Sequence, residues 1–345
     1  LLLRYLMTSM IFLIILFPLF SGASDSLRRF VSGHWKVFLY GGTMLFLARF
    51  FEVLAFRQGQ RTFALIFCVA LVPLTEPIAV YGLYRRRFCR VIFQRVFGER
   101  EAAAMRSIIH EKENYWFEYL LTLSLILSAA VFFIYARDGE IRIFPSDGSG
   151  QLFVYPEVLA SALALQLYFH TYDFGFTRQE DILPSAGSDS GDALSGFSKR
   201  LKPVLLKQTA FAVIAAIYCV LWNLSADANP LEAIRSVAHP ARFWAAFGIG
   251  IVVFGSVIAY TCENFSLDNY DREKSALPFR IRGVEWGGIA TFTDPLTASL
   301  LTAFFPVLVG GSAVHPFFFF LSLGLIVLLI ILKIMILCHS RFHKL

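Results

Sequence analysis

Charged residues are scarce in this sequence. Asp, Glu, Lys and Arg make up 16% of its 345 residues, against about 25% in a soluble domain. Hydrophobic residues make up 57%, with 37 phenylalanines, and the mean hydropathy is +0.63. Most of such a chain's surface cannot face water, which excludes an ordinary soluble enzyme or binding module.

Other absences narrow the chemistry. The five cysteines, Cys68, Cys89, Cys219, Cys262 and Cys338, show no CxxC spacing and fall mostly in or beside apolar runs. They read as small core residues, not as disulfides or metal ligands. No GxxxxGK[ST] loop is present to cradle a nucleotide, and no HExxH to hold zinc. No aspartate-rich cluster offers a magnesium site. The histidines form no spaced pairs on the apolar runs that would clamp a haem, and His339 and His343 stand four apart only in the tail. Gly148-Ser149-Gly150 has no acid–base partner in view. No metal site, cofactor or nucleic-acid partner is expected, and nothing supports an enzyme.

What the sequence does contain is a succession of apolar runs of about 20 residues, the length that crosses a bilayer. Nine occur, near 5–21, 36–56, 62–84, 115–136, 154–173, 204–225, 243–262, 285–309 and 314–338. The second carries Arg49 and Glu52, three apart and able to neutralise each other. The fifth closes on His170 and Asp173. The expected fold is an all-α, polytopic bundle of about nine transmembrane helices, residues 1–345 forming a single transmembrane domain.

Basic residues give the orientation. The segment between spans three and four holds Arg85, Arg86, Arg87, Arg90, Arg95, Arg100, Arg106 and Lys112. Placing it inside puts alternate segments inside, and each of those then carries at least three basic residues. The outer segments carry only Arg4, Arg57, Arg61, Arg137, Arg142, Arg235 and Arg242. The N-terminus is therefore expected outside and the C-terminus inside. Leu1 to Phe20 followed by Ser-Gly-Ala-Ser resembles a cleavable signal. Cleavage would force the eight-charge segment outside, so the run is read as a retained span. "Inside" is relative, and the sequence does not choose between a plasma membrane and an organelle inner membrane.

Two inner segments have a character of their own. Residues 85–112 are basic, with Phe88, Val91, Ile92 and Val96 at helical spacing. They read either as an interfacial helix whose arginines, Arg85, Arg86, Arg87, Arg90 and Arg95 first among them, meet anionic lipid headgroups, or as a solvated linker helix. Residues 176–203 are rich in Ser, Gly and Asp and read as a flexible loop.

Two acid–proline pairs carry the functional signal: Thr75-Glu76-Pro77 in span three and Thr293-Asp294-Pro295 in span eight. A carboxylate in hydrocarbon costs about 2.5–3.5 kcal/mol or more, and the following proline removes a backbone donor. Threonine and an acid before proline form a helix-start signal. Within a span this pattern means a broken helix, the sequence mark of a transporter site. Each pair also reads as a plain kink whose acid bonds a neighbouring helix.

His170, Asp173 and Lys207 gather in the same inner half of the bilayer. They read as a proton relay with Glu76 and Asp294, or as side chains snorkelling to the headgroups. The expected function is a secondary transporter or channel-like protein, proton-coupled, with a polar cavity in the inner half. The alternative is a non-catalytic scaffold or anchor subunit of a larger membrane complex, with other membrane subunits as partners.

Overall fold

The structure, a computed structural model, describes residues 1–20, 24–57, 71, 75, 79, 86–98, 124, 127, 128, 131, 132, 135, 156–175, 193–225, 241, 244–259, 261, 317, 320, 321, 324, 325, 327, 328 and 331. Among these residues the protein is all-helical, with no strands. The continuous elements are α1 (Leu2–Phe20), α2 (Ser24–Arg57), α3 (Arg87–Phe97), α4 (Pro156–Gly175), α5 (Ala193–Ser225) and a π-helix (Ala245–Ala259). Two stretches among the described residues are long and apolar enough to cross a membrane, Arg28–Ala55 in α2 and Val204–Ser225 in α5; Leu2–Leu16 is a shorter apolar helix.

The chain forms two compact units. The first comprises Leu1–Leu47, Ile92–Glu101 and Leu167–Tyr270; the second comprises Ala48–Val91, Ala102–Gln166 and Asp271–Leu345.

In the first unit, α1 packs against α5 and the π-helix. Its buried face is Tyr5, Thr8, Ser9, Phe12 and Leu16, a repeat of three and four residues. Its outer face is Leu6, Met10, Leu13 and Ile14, all exposed. α5 repeats the arrangement over its membrane-length part: Ile217, Val220, Leu221, Trp222 and Leu224 face outward, while Lys207, Gln208 and Thr209 are buried with Phe211, Ala212, Ala215, Ala216 and Cys219. A water-facing helix puts apolar residues in and polar ones out. Here the outer faces are apolar and the hydroxyls, amide and amine lie inside, as hydrocarbon surroundings require.

α4 is different. It opens on Pro156, whose missing donor costs nothing at a helix start, with Glu157 in the first turn where the helix dipole favours an acid. From Val158 to Thr171 no residue is exposed, which marks it as an interior helix.

α2 and α5 are longer than the apolar runs within them. α2 has 34 residues, about 51 Å at 1.5 Å per residue. Arg28, Arg29, Ser32 and Lys36 in its early turns are exposed while Phe30 is buried, and the helix starts well before the apolar run read at 36–56. α5 begins at Ala193 and passes through Pro203, so residues 193–203 of the segment read as a loop continue span six as helix.

Candidate functional site

The site is built where α2, α4 and α5 cross in the first unit. α2 and α5 run parallel in close register. Phe38 meets Phe211 edge-on with ring centroids 5.7 Å apart, Thr43 Oγ1 donates to Tyr218 Oη at 3.1 Å, and Phe46 stacks on Tyr218 at 5.4 Å. Gly41 and Gly42 make the approach this close. A Cβ on Gly41 would collide with the Phe211 ring and the Thr171 methyl; one on Gly42 would stand 2.6 Å from Ile214 Cβ and 3.3 Å from the Phe211 carbonyl oxygen. Small residues at helix crossings are the usual means by which backbones approach in membranes. Tyr168 of α4 closes the other side of Phe211, centroids 5.5 Å apart.

Around this crossing lies a buried polar set. His170 (1% exposed) and Thr171 (0%) come from α4; Lys207 (0%), Gln208 (4%) and Thr209 (5%) come from α5. Thr171 and Thr209 return their hydroxyls to the carbonyls of Leu167 and Leu205, at 3.2 and 2.7 Å. The Gln208 carbonyl oxygen accepts from Thr261 Oγ1 at 2.9 Å. Lys207 lies one turn before Phe211. His34 is half-buried and stacks on Phe30, centroids 4.8 Å apart. Its Nδ1 lies 3.0 Å from the Phe30 carbonyl oxygen. A carbonyl only accepts, so Nδ1 carries the hydrogen.

Of the residues singled out in the sequence, His170 and Lys207 are buried in helix packing and do not turn to the surface. Asp173 belongs to the last turn of α4; its side chain lies outside the described residues. Glu76, Pro77, Thr293, Asp294, Pro295 and Arg85 also lie outside them. Thr75 is fully buried. Its N–H bonds the Leu71 carbonyl at 3.1 Å, so α-winding reaches the residue before Glu76, and its hydroxyl points to the Ala162 carbonyl at 3.5 Å. Ala79, two residues after Pro77, is π-wound. Such π turns recur at functional positions.

Arg49 and Glu52 form a direct ion pair, Nη1 to Oε2 2.6 Å. They bond each other within one helix, as their spacing predicts.

Sequence reasoning missed His34 and Gly41-Gly42. The double glycine in a span was available as a close-packing signal. His34 stands before span two as read from hydropathy, and only the continuation of α2 brings it to the crossing.

Comparison with protein-family models, curated proteins and solved structures finds no match to this chain.

Proposed function

We propose that this chain is a nine-span integral membrane protein, N-terminus outside, that moves protons through a polar site in the inner half of the bilayer, as a secondary transporter or channel-like protein. The observation that carries the reading is Lys207. It is an amine fully out of water on a membrane-length helix, among buried polar residues of α4 and α5 that include His170, Thr171 and Gln208. Lysine and histidine are the side-chain bases that exchange protons near neutral pH when their surroundings perturb them. An ionisable group inside a membrane helix marks a pathway more often than it marks packing.

Helix directions agree with the nine-span order. That order makes spans two and six parallel, and span five opposite to both. α2 and α5 are parallel, while α4 places Thr171 at Gly41 and Ser161 at Ala48 (Oγ to carbonyl oxygen 2.8 Å), running the other way. In the proposed path His34 takes the proton from the inner side and Lys207 receives it; His170, Asp173, Glu76 and Asp294 are the further candidate relay residues.

The test is proton flux into liposomes that hold the purified chain and a trapped pH-sensitive dye, with the potential clamped. The wild type is expected to exceed protein-free liposomes about tenfold, and Glu76→Gln to fall to their level. Flux in the wild type no faster than in empty liposomes, or an unaffected Glu76→Gln, contradicts the reading. The scaffold alternative draws on Arg49–Glu52, where a buried acid is paired within its own helix.

A further inference from the structure

α3 has two apolar faces, and only one is used by the protein. Phe93 and Phe97, one turn apart, are buried, with ring centroids 4.5 Å from each other. Phe97 meets Tyr40 of α2 edge-on at 5.3 Å. Gly98 ends the helix in the left-handed region, φ 107°, its N–H returning to the Gln94 carbonyl at 3.0 Å. That is the glycine-capped stop that only an achiral residue adopts without strain. The helix is thus a defined element with an anchored side.

Roughly opposite Phe93 and Phe97, at spacings of three and four, stand Phe88 (75% exposed), Val91 (40%) and Ile92 (40%). Arg95 continues this stripe one turn further, Arg87 is exposed on its flank, and Arg90, with Arg86 just before the helix, is exposed toward the Phe93–Phe97 side. A phenylalanine held three-quarters bare on a helix with three exposed arginines fits neither a solvated linker nor a lipid-tail span. It has the composition of a helix seated in the headgroup layer, rings down and guanidiniums level with phosphates. The anchor sets a matching level. Tyr40 lies one turn beyond Trp35 and Lys36 of α2, where a lysine ammonium stands 5.9 Å over an exposed indole, the aromatic and basic belt of a membrane boundary.

We infer that α3 is an in-plane anchor whose Phe88–Val91–Ile92 face enters the boundary of an anionic leaflet and whose Arg87, Arg90 and Arg95 bind the phosphates of acidic lipid headgroups. The inference does not rest on proton transport; a scaffold subunit would use the same anchor.

The test takes the full chain in nanodiscs of phosphatidylcholine alone or with one-third phosphatidylglycerol, bearing a nitroxide at Phe88→Cys. In the anionic discs the label is expected to collide with lipid-soluble oxygen in preference to a water-soluble nickel chelate. The triple change Arg87→Gln, Arg90→Gln, Arg95→Gln is expected to weaken phosphatidylglycerol retention in native mass spectrometry. At roughly fivefold per charge, the loss is about a hundredfold. Lysines at the same three positions are expected to restore most of it, which separates charge recognition from a folding defect. A label that favours the aqueous reagent in both disc types, as a protein-docking face would, overturns the inference. So does lipid retention unchanged by the glutamines.

Discussion

Two charged places in the bundle are built in different ways. At Arg49–Glu52 a cation and an anion three residues apart on α2 close on each other at 2.6 Å, and both are largely withdrawn from solvent. Lys207 is buried outright on α5 beside Gln208 and Thr209, with His170 and Thr171 of α4 buried at the same crossing. The first arrangement is a cation and an anion on one helix; the second gathers polar groups from two helices. The proposed relay uses the second.

Breaking the closed pair should have the largest effect on stability. Glu52→Ala leaves the Arg49 guanidinium without its carboxylate, and is expected to cost about 3–5 kcal/mol in detergent unfolding. The joint change Arg49→Met with Glu52→Leu should recover most of that loss and leave proton flux unchanged. A joint variant as unstable as Glu52→Ala would show that the pair is not self-contained.

A smaller effect is expected at the crossing that holds the buried polar set. Gly42→Val drives a side chain into Ile214, and overpacking of this kind costs about 1–3 kcal/mol. Because the clash separates α2 from α5, flux should fall further than stability does. Equal flux with reduced stability would detach His34 from the pathway.

The sequence was most readable where an apolar run and a helix share their ends. The run read at 5–21 is helix in α1 (Leu2–Phe20), and that read at 154–173 is helix in α4 (Pro156–Gly175). Span two was cut at 36 because Arg28, Arg29, Ser32 and Gly33 carry no apolar signal, although nothing in them stops a helix. Span six was cut at Pro203, a residue that usually breaks helices, yet α5 runs through it. For α3, hydropathy gave the helical stripe of Phe88, Val91 and Ile92, while the anchor on Tyr40 is a contact between residues more than fifty apart. The candidate relay was legible only in part. His170 and Lys207 stand out as polar residues in apolar runs, but His34 needed the third dimension.

The most direct test of the central claim pairs two readings of one variant, Lys207→Met, which keeps the bulk of the side chain and removes the proton site. A single cooperative unfolding transition in detergent shows that the variant is folded. Proton flux in liposomes should fall to the protein-free level. A stable Lys207→Met protein with wild-type flux would contradict the account and leave Lys207 as a packing residue.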